Sequence, residues 1–259
     1  MKIALEYTKT FGGRVISFCQ DEFLAKKGVL NESIVSTELG LKGIPNISES
    51  INMYRDIEIL RYSGGKIHIP YVTTSKGVDL IREAKKNNLD ITASVSLAHI
   101  TFSEKDIPEF DTNYKLIPPL RSESDLNSLK EGLVDGTLDY LTSMHEPFDA
   151  DNKKIIFDNA SSGSIGLESM FGLMSNQFTL EKTIDILTRK KIIFEVDDHP
   201  IEIGSLADLS LFNPDKNYNF SENHILSTSK NCAFIDSKHK GIVYGSINGK
   251  SFTLNKLWT

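Results

Sequence analysis

Four short stretches of the chain bring together residues able to do acid–base or metal chemistry. SFCQD at Ser17–Asp21 offers a thiol and a carboxylate, and KIHIPYVTT at Lys66–Thr74 offers one imidazole, His68. YKLIPPLR at Tyr114–Arg121 carries a guanidinium, and TSMHEPFD at Thr142–Asp149 combines an imidazole with two carboxylates. Imidazole and carboxylate together hold a borderline cation such as zinc, which lowers the pKa of bound water until it can attack a carbonyl. His99, His145, Glu146 and Asp149 are the residues from which such a centre could be assembled. Taken singly, the same stretches read more plainly. His68 reads as a hydrogen-bonded structural histidine, Phe18-Cys19 as core packing at a strand end, and Arg121 as either the pin of a loop or an anion contact.

The elements that must position these groups alternate regularly. A helix over Lys2–Thr10 stops at Gly12-Gly13, and Arg14–Cys19 follows as a β-rich run. Ile47, Ile51, Tyr54 and Ile57 share one face of a helix over Ser48–Tyr62, stopped by Gly64-Gly65 before a strand at Lys66–Val72. A helix over Ser75–Asn87 turns Val78, Ile81 and Ala84 inward, and Ile91–Leu97 alternates with the period of a strand. Asp125–Gly136 places Leu126, Leu129 and Leu133 on one side of a helix, Leu138–Ser143 is a strand, and Gly166–Phe178 and Leu180–Lys190 are helices. Repeated βα units imply a parallel sheet covered by helices. From Ile201 the pattern changes to short strands, IEIG, DLSLF, GIVYGSI and SFTL, separated by Asn, Gly and Ser turns. The chain therefore divides into an α/β unit over 1–200 and a small antiparallel β unit over 201–259.

Composition narrows the function classes. At 259 residues the chain can bury a sizeable core, and its net charge of −6 argues against nucleic acid or an anionic membrane surface as partner. The basic runs Lys85-Lys86 and Arg189-Lys190-Lys191 sit at helix ends, where cations suit the helix dipole. Cys19 and Cys232 are far apart and suggest no disulfide framework, so a reducing cytoplasm is the expected setting. No run of 18 apolar residues occurs, so no membrane span is expected.

Seven ordered segments together resemble the dihydroorotase family of cyclic amidohydrolases. Glu38–Thr74, ELGLKGIPNISESINMYRDIEILRYSGGKIHIPYVTT, is similar to the middle of that family's domain. SSGSIGLES at Ser161–Ser169, with Gly163, resembles a substrate-facing glycine turn. GSLADLSLFNP at Gly204–Pro214 and NCAF at Asn231–Phe234 resemble the return into the family's small β domain. The resemblance implies a zinc-dependent hydrolase that opens a cyclic amide, dihydroorotate to N-carbamoyl-aspartate, with an aspartate as general base. At the matched ligand positions, however, this chain has Phe18, Tyr71 and Met144, and Met144 also stands at the position of the base. The family's ring-holding asparagine aligns with Ile117 and its last substrate-contacting histidine with Phe148, whereas Arg121 and His145 persist.

The resemblance thus implies the second half of a (β/α)8 barrel, about strands five to eight, followed by the β unit. It implies no bound cofactor, because phenyl and thioether groups do not ligate zinc and a phenol substitutes poorly for imidazole. It implies a catalytically silent scaffold, with aspartate carbamoyltransferase or a missing N-terminal half-barrel as partner, or self-association. The competing expectation is a working amidohydrolase completed by a second segment. A half-barrel should also expose two sheet edges and the apolar inner ends of strands such as Ile91–Leu97.

Overall fold

The structure, a computed structural model, describes residues 1–189 and 201–255. The Lys190-Lys191 helix end and the unit boundary at 200 lie outside the described residues. The strands are β1 (Val15–Ile16), β2 (Leu30–Asn31), β3 (Gly43–Ile44), β4 (Ile67–Ile69), β5 (Ile91–Ser96), β6 (Tyr140–Thr142), β7 (Asp208–Asn219), β8 (Lys238–Asn248) and β9 (Ser251–Leu254). The helices are α1 (Lys2–Thr8), α2 (Glu22–Ala25), α3 (Ile34–Glu38), α4 (Ile47–Ser63), α5 (Ser75–Lys86), α6 (Leu97–Thr101), α7 (Glu123–Asp135), α8 (Ala150–Lys153), α9 (Met170–Gln177) and α10 (Leu180–Thr188).

Four strands form one parallel sheet in the order β1-β4-β5-β6. The helices pack in the matching sequence α1, α4, α5, α7, as successive right-handed crossovers require. This is a sector of a (β/α) barrel. On β5, Ile91, Ala93 and Val95 are buried in the apolar core, while Thr92 and Ser94 join His68 of β4 on the sheet's other face. The half-barrel reading predicts exposed apolar strand ends at Ile91–Leu97. Instead the apolar residues of this segment are 4% accessible or less, because the helix layer covers them.

Two other expectations need correction. In α4 the buried face is Met53, Ile57 and Leu60 with Asn52 and Asp56, whereas Ile47, Ile51 and Tyr54 are exposed. Polar residues displaced the apolar stripe because the carboxylates of this helix turn inward and take protein donors: Glu49 meets Thr73 and Thr74, and Asp56 meets Ser17. IEIG at Ile201–Gly204 is a turn, closed by the Ser205 N–H on the Glu202 carbonyl, with Gly204 at φ +95°. The remaining C-terminal runs do form a three-stranded antiparallel sheet, β7-β8-β9, with β8 packed on α9.

Candidate functional site

Parallel βα sheets place their working groups at the C-terminal ends of the strands. Beyond β1 stand Ser17, Phe18 and Cys19. Ser17 Oγ donates to the fully buried Asp56 carboxylate at 2.5 Å. Cys19 is buried beside the same carboxylate, and burial, reinforced by Asp56 and Glu49, pushes its thiol far above the ordinary range, so it is inert. Phe18 is not the core residue expected from the sequence: 45% of it is exposed, because the chain turns its ring outward at the sheet edge.

Tyr71 follows β4 with φ +56°, and Met144 follows β6 with φ +46°. Left-handed backbone suits glycine and, several-fold less, Asn, Asp and His; a bulky residue there is strained. Met144 is buried and its N–H is tied to Thr142 Oγ1 at 3.2 Å. Tyr71 is half-buried, and its hydroxyl is pushed up by burial and then by the nearby Glu146 charge.

Between these points the inner sheet face forms a recess of about 260 Å³ lined by Ile16, His68, Pro70, Tyr71, Tyr140 and Thr142. His68 Nδ1 meets Thr92 Oγ1 at 2.9 Å, and Nε2 meets Ser94 Oγ at 3.2 Å and the Tyr140 hydroxyl at 3.0 Å. Its ring stacks on Tyr140 with centroids 5.2 Å apart. Burial, with Arg14 and Lys85 adding like charge, holds the imidazole down at about 4, so it is neutral near pH 7. His68 is therefore a structural hydrogen-bonding hub.

Arg121 is 3% exposed and bonds only to its own scaffold: Nη1 donates to Asn31 Oδ1 at 2.8 Å and to the Ile44 carbonyl at 2.6 Å, and Nε to Thr73 Oγ1 at 3.3 Å. It ties the β2–β3 loops to the end of β4, which is the loop-pinning role, achieved through neutral acceptors. Glu49 completes the knot by accepting the N–H groups of Thr73 and Thr74. Ile117, four residues earlier, is 38% exposed.

After β6, His145 Nδ1 accepts the Leu167 N–H at 3.2 Å, so Nε2 carries the proton and faces Ser227 Oγ at 3.2 Å. Ser227 in turn donates to Glu168 at 2.6 Å. Burial raises the Glu168 carboxyl, but the Ser227 hydroxyl and N–H outweigh it and leave it below the ordinary range. The protons run from histidine to serine to carboxylate, opposite to the relay that would activate a serine nucleophile. Phe148 donates its N–H to Asn231 Oδ1 and lines a cleft of about 620 Å³ with Phe110, Lys153, Lys154 and Lys230. Gly163, at φ +148°, is required where it stands: a Cβ would lie 2.5 Å from Glu146 Oε2 and 2.7 Å from the Phe148 ring.

Two lysines escaped the sequence reading although one lies inside YKLIPPLR. Lys115 Nζ donates to the carbonyls of Phe157, Asp158 and Ala160, and Lys153 Nζ to those of Thr112, Ser161 and Gly163. Each ammonium organises a loop at the mouth. Burial, then the neighbouring Lys115, lowers Lys153 to about 8.

The residues singled out for a rebuilt metal centre do not come together. His99 is buried and bonded through Nε2 to the Pro118 carbonyl and through Nδ1 to Ser96, away from His145 and its Ser227–Glu168 partners. Among the described residues no group of three or more His, Cys, Asp or Glu is placed to hold a metal ion, and no helix is long and apolar enough to cross a membrane.

No family model matches the chain. Over 260 residues it is 35% identical to a dihydroorotase of Caldanaerobacter subterraneus subsp. tengcongensis, covering 96% of this chain and 60% of that protein. A Listeria monocytogenes dihydroorotase is 35% identical over 228 residues, covering 85% and 54%. Among solved structures, a D-hydantoinase superposes with TM-score 0.83 at 22% identity, and the L-hydantoinase (dihydropyrimidinase) of Arthrobacter aurescens with 0.84 at 17%; each covers 98% of this chain and 59% or 60% of its own. The chain spans about three-fifths of the length of the curated relatives it matches.

Proposed function

This chain is a relative of the dihydroorotases within the cyclic amidohydrolase superfamily, and on that footing we propose that it is a non-hydrolytic member, a barrel scaffold serving pyrimidine synthesis. One observation carries the reading. The strand ends where the family's resemblance calls for zinc ligands and a base present Phe18, Tyr71 and Met144, two of them in strained backbone. Phenyl and thioether groups neither bind zinc at neutral pH nor take a proton, and burial pushes the Tyr71 phenol further from ionisation. The residues present do not fit the metal. Arg121 and His145, the surviving family residues, are both engaged by protein partners, which supports retention for folding. An assembly role follows, with aspartate carbamoyltransferase as the partner that the family resemblance suggests.

The purified chain is expected to carry far less than one zinc per molecule and to show no dihydroorotate hydrolysis. Reverting Phe18→His, Tyr71→His and Met144→Asp together is expected to leave turnover undetected, because Ile117 and Phe148 still replace substrate contacts. Loss of a general base alone removes roughly two to four orders of magnitude in rate. Stoichiometric zinc retained through dialysis would overturn the metal-free reading, and turnover by the unaltered chain would establish an active amidohydrolase.

A further inference from the structure

Met53, Ile57 and Leu60 of α4 are buried in the core, yet Ile47, Ile51 and Tyr54, four and three residues apart along the same helix, are 52%, 44% and 57% exposed. Helix α2 lies at the start of α4, tied to it by the Asp21 N–H on the Ser48 carbonyl at 2.8 Å. It adds Phe23, 89% exposed, and Leu24, 39% exposed. A helix that is apolar on both sides is one buried on both. The sheet does not account for the outer stripe. Helix α1 packs against one flank of α4 and α5 against the other, so the stripe faces outward from the helix layer rather than along it.

The size and charge of this surface select its occupant. Phe23 and Tyr54 can each bury on the order of 150–250 Å². With two isoleucines and a leucine the surface offers roughly 500 Å², so two copies face to face hide about 1,000 Å², the size that a specific interface clears. The arginines bordering the stripe on α4 are matched within the chain: Arg55 Nη2 lies 2.9 Å from Asp56 Oδ1, and Arg61 pairs with Glu58. An antiparallel pair of α4 helices sets the positive end of each dipole beside the negative end of the other. It also sets Phe23 and Ile47, at the start of one α4, against Tyr54, further along the other.

We propose that Phe23, Ile47, Ile51 and Tyr54 form the interface of a homodimer in which two α4 helices pack antiparallel across a twofold axis, with Ile51 nearest the axis. An α-helix spends its backbone groups within itself, so this face recognises its partner through side chains alone. Their helical spacing fits a second helix carrying the same ridges, and a second copy supplies one. The inference goes beyond the scaffold reading and holds whether or not the mouth is catalytic, since none of its readouts is turnover.

The test is the mass of the purified 259-residue chain by light scattering across the micromolar range. The expected result is a dimer that Ile51→Lys and Tyr54→Lys, both at exposed positions, weaken roughly tenfold or more, as for anchors at an interface centre, with circular dichroism unchanged. In a second measurement, Ile51→Cys oxidised by copper–phenanthroline in air should give a disulfide-linked dimer, two thiols losing their hydrogens to oxygen. Val134→Cys, exposed on α7, should not, and Cys19 and Cys232 are buried and give no background. Should a lysine variant fail to fold, the cross-link decides. A monomeric chain that forms no such link overturns the proposal and leaves the stripe to a different polypeptide. A dimer untouched by either substitution and without the link overturns it also, by placing the contact elsewhere.

Discussion

Between pH 6.5 and pH 4 the chain is expected to lose most of its folding stability. His68, His99 and His239 are each at most 4% exposed, and burial holds all three imidazoles down at about 4. Like charge adds to this, from Arg14 at His68, Arg121 at His99 and His224 at His239. Above the unfolded value near 6.5, both states are neutral at these sites and stability is unaffected. As pH falls below it, the unfolded chain takes up protons that the folded chain refuses, so the equilibrium moves toward unfolding until the folded histidines also titrate. Each histidine can withdraw about 3 kcal/mol across that window, at 1.36 kcal/mol per unit. Three together are comparable to the roughly 5–15 kcal/mol that holds an ordinary domain folded. Glu146, raised by burial, works in the opposite sense, but it is one half-buried carboxyl against three buried rings. Urea melts at half-unit pH intervals measure the effect. A midpoint unchanged from pH 7 to pH 4.5 would refute it.

Arg121→Met is expected to be strongly destabilising, at about 1–3 kcal/mol for each buried acceptor left without its donor. The methylene stem would be kept, but Asn31 Oδ1, the Ile44 carbonyl and Thr73 Oγ1 would lose their donor. Glu49, Asp125 and Glu104, which attract the guanidinium, would each lose the influence of its positive charge. Arg121→Lys should recover only part of the loss, because one ammonium cannot span acceptors arranged for a planar fork. Denaturant midpoints of the three proteins decide the matter. Were Arg121 an anion-binding residue standing open at the mouth, the methionine variant would be as stable as the parent.

The contrast between these residues shows where sequence alone sufficed. The βα rhythm was legible because α5 and β5 carry clean periodicities, with Val78, Ile81 and Ala84 on one face and Ile91, Ala93 and Val95 on another. Helix α4 misled for a physical reason: its inward face is carboxylate and amide, paid for by distant hydroxyls and N–H groups that periodicity does not reveal. The matched mouth positions Phe18, Tyr71 and Met144 were found by comparison with a family pattern, not by their own chemistry. Lys115 and Lys153 were missed because their partners are backbone carbonyls, which leave no residue signature. IEIG failed as a strand because four residues of alternation do not supply a neighbour to pair with.

The left-handed turns at Tyr71 and Met144 behave as sockets whose shape does not depend on the side chain they hold. Neither side chain favours that geometry; the neighbouring main chain imposes it, through the Val72 N–H on the Ser94 carbonyl and the Glu146 N–H on the Ser164 carbonyl. A position governed in this way tolerates exchange of its occupant without moving its Cα–Cβ direction. An engineer wishing to place new functional groups above this sheet would therefore find the aim of two of them already fixed, with only the side chains left to choose.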